Sequence, residues 1–324
     1  MNIITGQVSA GAGMGMRERR SMKLRLLAAA SAVVLGVSVP VAEAVEDGFE
    51  SLADPSLGIN DPSCVPSGEV SEPVVLLHGT SDNASTWDEL IPVLQERGMC
   101  VWAFDYGADD VTLQNASPRT KGIADLDESA REVAEQIDYV REVTGSNKVN
   151  LVGHSQGGLH IKTYTQMYGS PDHVARAVAL GGNFHGTTLD GMGETLAKLI
   201  AAMPNFARFL ASTAGIQQVV GSEFIESLNA LPDTAPGTLY TSIYSPADVT
   251  VTPNTTSMLD AVDGADVVNI DVAEVCGVEP LHPDLPRDAM VMGQVLFGLT
   301  REAGQGADSG ACIDPRSSIN PQFS

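Results

Sequence analysis

The chain has 324 residues, 43% of them apolar, with 32 glycines and 18 prolines, a composition that excludes a fibrous or disordered protein and indicates a loop-rich globular one with room for a sizeable core. Its formal net charge of −23 argues against nucleic acid or an anionic membrane as partner, because both surfaces would repel it. Such charge suits solubility and identifies no substrate.

The first recognisable segment is basic, with Arg17, Arg19, Arg20, Lys23 and Arg25 preceding an apolar stretch from Leu26 to Val39 and then Ala42-Glu43-Ala44. These are the three parts of a secretory signal peptide, and cleavage is expected after Ala44. An apolar stretch of about 14 residues falls short of the roughly 20 that span a bilayer, so no stable membrane anchor is expected. Residues 45–324 are then expected to form one exported domain, with a monomer as the favoured state. Without residues 1–44 the 18 basic residues fall to 13 and the 41 acidic ones to 39, a net charge of −26. Four cysteines lie beyond the leader, Cys64, Cys100, Cys276 and Cys312, an even number that in an exported chain favours two disulfides. Three pairings are possible, and proximity in sequence suggests Cys64 with Cys100 and Cys276 with Cys312. No CxxC pair exists to suggest zinc.

Strand and helix signals then alternate. "PVVLLHG" (Pro73 to Gly79) and "CVWAFDYG" (Cys100 to Gly107) read as strands separated by helical spacing around Trp87 to Arg97, and a second helix is expected over Leu126 to Val143. "KVNLVGH" reads as a buried strand, "GGLHIKTYTQMYG" as a helix ending at Gly169, and "VARAVALGG" as another strand. "TLYTSIYS" and "ADVVNIDV" supply two more. This rhythm predicts an α/β fold with a mostly parallel central sheet and helices on both faces. It breaks between Gly182 and Leu231, where Leu189 to Met203 and Phe206 to Leu228 read as two helical, apolar segments. A helical cap insertion at about 183–231 is expected, serving either as ordinary packing or as a lid over a substrate.

Gly153-His154-Ser155-Gln156-Gly157 matches G-x-S-x-G and sits between a strand and a helix, the context that gives the motif weight. A serine at so sharp a turn is strained, side chains two positions away would collide, and its hydroxyl is lifted clear for a substrate carbonyl. Ser155 is therefore the candidate nucleophile. In the order serine, acid, histidine, only His282 of the six histidines lies beyond any plausible acid, which makes it the candidate base by elimination. Asp248, in the segment "SPADVTVTP" after a strand, is the preferred acid over Asp263, Asp266 and Asp271. The amide of Gln156 and that of Thr80, in the loop after "VVLLHG", are the candidate oxyanion donors, with the Thr80 hydroxyl as a possible third.

Together, "HGT", "SQGGL", "LYTSIYSPADVTVTP" and "EVCG…H…CIDP", in this order between Cys64 and Pro315, make the chain resemble the lipase branch of the α/β-hydrolase family, more narrowly the fungal lipase B type and related secreted bacterial lipases. That resemblance implies the α/β-hydrolase fold, a Ser155, Asp248 and His282 triad, an oxyanion hole at Thr80 and Gln156, both suggested disulfides, and no cofactor or metal. It also implies an acyl ester or lipid as substrate. His154 stands where lipase B has a tryptophan lining its alcohol pocket, so specificity does not carry over, and His154 is read as a pocket or packing residue. His185 is given no catalytic role. The expected function is a secreted serine carboxylic-ester hydrolase, foremost a triacylglycerol lipase. The alternatives are a short-chain carboxylesterase, a polyester hydrolase or acyltransferase, and a catalytically silent binding protein on the same scaffold.

Overall fold

The computed structural model describes residues 58–109 and 119–319, and the expected leader lies outside them. In chain order the first elements are β1 (Val74–Leu77), α1 (Leu90–Glu96), β2 (Val101–Ala103), α2 (Leu126–Thr144), β3 (Val149–His154), α3 (Gln156–Thr163) and β4 (Val174–Leu180). Four helices follow, α4 (Gly193–Ala202), α5 (Pro204–Ala211), α6 (Thr213–Gln217) and α7 (Glu223–Asn229). The chain then forms β5 (Leu239–Tyr244), β6 (Asp266–Asp271), α8 (Val272–Cys276) and α9 (Ala289–Thr300).

The six strands form one sheet in the order β2-β1-β3-β4-β5-β6, and every neighbouring pair is parallel. A parallel sheet needs cover on both faces, which is why β1 and β3 read as unbroken buried runs. Successive side chains divide between the faces. Val74 and Leu76 join a core with Leu90, Val93 and Leu94 of α1 and Val291 and Val295 of α9. Val75 and Leu77 join the other with Val133, Ile137 and Val140 of α2 and Ile161 of α3. Helix α2 starts where Asp125 accepts hydrogen bonds from the amides of Asp127 and Glu128, and stops at Gly145, whose φ of 66° no helix continues. Helix α9 lacks any sequence signal of periodicity because Val291 through Leu299 are all buried, leaving no polar stripe to alternate with.

Between β4 and β5 the structure departs from the two expected helical segments. The first turns late, since Leu189 and Asp190 hold positive φ angles of 50° and 52° and α4 begins only at Gly193. The second, Phe206 to Leu228, is three helices. Ser212, at φ 64°, ends α5 and turns its hydroxyl to accept from the amide of Gly215, which starts α6. Gly221, at φ 83°, separates α6 from α7, which Ser222 caps through the amide of Ile225. Helices α6 and α7 pack onto the domain, with Ala214, Phe224, Ile225 and Leu228 closing over Leu126 and Leu159. Met203, Phe206, Phe209 and Leu210, around α5, stay exposed.

The cysteines pair as Cys64–Cys100 and Cys276–Cys312. The first ties the segment before β1 to the start of β2, and the second ties the end of α8 to the tail beyond α9.

Candidate active site

From β1 the chain passes outward to β2 and returns to place β3 on the other side of β1. The connections leaving β1 and β3 therefore diverge, and a crevice opens beyond their carboxyl ends. Thr80 follows β1, Ser155 follows β3 and Asp248 follows β5, while His282 follows β6 and α8. All four arrive at the same end of the sheet.

Ser155 joins β3 to α3 at φ 55° and ψ −117°, a conformation that costs a non-glycine residue about 1–3 kcal/mol. The glycines on either side of it are closely packed. A Cβ on Gly153 would lie 2.4 Å from the carbonyl of Gly157, and one on Gly157 would lie 2.1 Å from the carbonyl oxygen of Leu77. The bare positions around the serine thus let α3 sit directly against the backbone of β1.

His282 and Asp248 are both buried, with Nδ1 of the imidazole 2.6 Å from Oδ2 of the carboxylate. The other oxygen, Oδ1, accepts from the amides of Thr250 at 2.7 Å and Val251 at 2.9 Å, so the carboxylate is fixed on both sides. The competing acids are engaged elsewhere or open to solvent. Asp266 pairs with Arg301 at 2.6 Å, Asp271 caps α8 and Asp263 is exposed.

Ser155, His282 and Thr80 line one cavity of about 420 Å³ together with His154, Asn183, Thr187 and Gln218. His154 Nε2 lies 3.0 Å from the carbonyl oxygen of His282, which only an N–H can satisfy, and the two rings are 4.7 Å apart. Burial, and then the neighbouring His282, hold His154 well below the ordinary histidine range, so it stays neutral beside the other imidazole. His160, within α3, is likewise lowered to about 3 by burial and by His78.

The Thr80 hydroxyl is not a free third donor. It gives its hydrogen to Gln156 Oε1 at 2.9 Å and accepts from Gln218 Nε2 at 2.7 Å. Gln218 was not visible as a site residue in the sequence, where its only mark is a polar pair inside "GIQQVVG". His185 bonds to Asn229 Oδ1 and the carbonyl oxygen of Met258 and lies 3.2 Å from Asp233, which also pairs with the buried Lys162 at 2.7 Å. Among the described residues no group of three histidines, cysteines, aspartates or glutamates is disposed to hold a metal ion.

A parallel sheet wrapped on both faces, with a serine elbow after its central strand, is the α/β-hydrolase fold. A sequence profile of that fold matches residues 72–219. An abhydrolase domain-containing protein of Caenorhabditis elegans is 27% identical over 128 residues, 40% of this chain and 28% of that protein. Among solved structures, lipase B of Aspergillus fumigatus is similar with a TM-score of 0.56 at 20% identity, covering 81% of this chain and 62% of that one. A lipase of Bacillus licheniformis in its propeptide form gives 0.55 at 17% identity, covering 76% and 54%. The chain thus spans less than two thirds of each of these relatives, and the likeness carries the fold.

Proposed function

We propose that the protein is a serine carboxylic-ester hydrolase, foremost a lipase, that works through an acyl-enzyme on Ser155. The observation that carries this reading is the 2.6 Å contact between His282 and Asp248 in a buried pair whose imidazole opens onto the same cavity as the strained serine. His282 Nδ1 donates to Asp248, which leaves Nε2 as the basic nitrogen. In the reaction, Ser155 Oγ bonds to the ester carbon as Nε2 takes its proton. The carbonyl oxygen becomes an oxyanion that accepts from the amides of Thr80 and Gln156. Collapse of this intermediate expels the alcohol, which receives the proton from Nε2, and water repeats the sequence to release the acid. Asp248 keeps the imidazole in the required tautomer and favours its charged form while the proton is held.

Two disulfides suit an oxidising compartment and accord with export, and no described helix is long and apolar enough to cross a membrane. The lipase names of the two solved structures, together with exposed apolar side chains around α5, favour acyl esters of apolar character as substrates. A fluorophosphonate should label the wild type and not Ser155→Ala, and p-nitrophenyl esters of rising chain length should be hydrolysed by the wild type alone. Failure to label would replace the hydrolase with a silent scaffold, and a steep preference for acetate would replace the lipase with a short-chain esterase.

A further inference from the structure

Thr80 and Gln156 stand on different segments, yet their side chains are joined, and the outer end of that junction belongs to the segment between β4 and β5. Gln218, buried just beyond α6, uses both hydrogens of its amide nitrogen, giving one to Thr80 Oγ1 at 2.7 Å and one to the carbonyl oxygen of Ala214 at 3.2 Å. Its Oε1 faces Asn183 Nδ2 at 3.5 Å. This surrounding of acceptors around the nitrogen and a donor near the oxygen leaves one orientation for the amide. The Thr80 hydroxyl then accepts from Gln218 and sends its own hydrogen to Gln156 Oε1 at 2.9 Å. The Gln156 amide nitrogen can only donate, so His160 Nε2, 3.3 Å away, is its acceptor. Hydrogen bonds therefore run one way, from the cap through the β1 loop to the elbow and on into α3. The backbone of Gln218 is held as firmly, its carbonyl oxygen accepting from the amide of Thr187 at 2.9 Å and from Asn183 Nδ2 at 3.2 Å.

We propose that Gln218 is a positioning residue for the oxyanion site: by clamping the Thr80 hydroxyl it fixes the two segments that carry the Thr80 and Gln156 amides, and it makes their alignment depend on the cap. The assignment rests on the serine-hydrolase reading. Gln218 never needs to touch substrate. Its contribution is felt where charge develops on the carbonyl oxygen, because a donor that wanders is worth little to an oxyanion. Binding of the uncharged ester makes no such demand.

The test is a double-mutant cycle between Gln218→Met, which keeps length and removes the donor, and Thr80→Val, which keeps shape and removes the hydroxyl, in the full chain. Gln218→Met is expected to lower kcat on a p-nitrophenyl ester about tenfold, the worth of one hydrogen bond, with KM changed less than about twofold. On the Thr80→Val background the same change should lower kcat less than about twofold, while Thr80→Ser should keep the full effect. Fluorophosphonate labelling, which builds charge on a phosphoryl oxygen in the same hole, should slow in parallel with kcat. Equal losses on both Thr80 backgrounds, or an unchanged kcat, would overturn the assignment, as would a loss explained wholly by a lower folded fraction in circular dichroism. Gln218→Leu, which also removes the donor and adds no charge, serves if Gln218→Met does not fold, with the same outcomes expected. A wild type that neither labels nor hydrolyses would overturn the hydrolase reading and this assignment together, whereas a labelled, active wild type with an indifferent Gln218 would overturn this one alone.

Discussion

Replacing Asp248 by asparagine changes one atom, and the structure dictates which way the new amide must face. Oδ1 of Asp248 accepts from two backbone amides, those of Thr250 at 2.7 Å and Val251 at 2.9 Å. An NH₂ group turned toward them would set donor against donor twice, so the asparagine oxygen must take this place. The NH₂ is then left facing His282 Nδ1 across the 2.6 Å contact. A donor there obliges Nδ1 to accept, which moves the imidazole hydrogen to Nε2, the nitrogen that has to receive the proton of Ser155. The hydroxyl loses its base although nothing has been displaced. Trapping the wrong tautomer in this way costs about 10⁴-fold in kcat, or roughly 5.5 kcal/mol of transition-state stabilisation. The assay is initial-rate hydrolysis of a p-nitrophenyl ester against a Ser155→Ala blank, with circular dichroism showing that Asp248→Asn remains folded. A folded Asp248→Asn that keeps a tenth or more of the wild-type kcat would refute the reasoning, because the carboxylate would then not govern the imidazole.

Further outcomes test the frame around the site. Gly157→Ala sets a methyl 2.1 Å from the Leu77 carbonyl oxygen and 2.8 Å from that of His78, both backbone atoms, so its loss should exceed the about 1–3 kcal/mol of ordinary overpacking in urea titrations, while Gly306→Ala, with open space around it, should be near neutral. Exchanging Cys276 and Cys312 for serines releases a loop of separation 36 and should lower stability by about 2–4 kcal/mol, and a change under about 0.5 kcal/mol would contradict that. His185 is raised above its ordinary range chiefly by its hydrogen bond with Asp233. Burial pushes the Asp233 carboxyl up, but hydrogen bonds from His185 and Lys162 outweigh it and hold the group at about 2. A raised histidine stabilises below its unfolded value and loses that contribution as pH climbs through its folded one. The melting temperature of His185→Gln should therefore fall furthest below wild type at pH values under the ordinary histidine value of about 6.5 and converge with it as pH climbs past the raised one, and a gap that widens with pH would reverse the assignment.

The parts of this fold that can be read from the chain are those whose cause is local. Val74 to Leu77 and Val149 to His154 are continuous buried runs because a doubly covered parallel strand has no wet face, and Gly153 and Gly157 flank Ser155 because the turn itself excludes side chains. His282 follows from chain order, and Asp248 from its place at a strand end. Other features have distant causes. Ser212, buried and at φ 64°, is the first of two breaks that divide one expected helical segment into three, in a stretch whose apolar spacing reads as continuous. Helix α9 hides because its whole circumference is buried. The engagement of the Thr80 hydroxyl depends on Gln218, 138 residues away, and no spacing rule reaches that far.

The sheet is not equally protected along its width. The residues of β3 are all buried, while β6, at the edge, has five of its six only partly so. The connections after β5 and β6 carry Asp248 and His282, so two of the three groups hang from the flank most open to water, whereas Ser155 is rooted in the middle. Heat should then separate turnover from architecture. Molecules frayed at this margin would retain most of their ellipticity and have no activity, and their silence would reverse on cooling as long as Cys276 and Cys312 remained bonded.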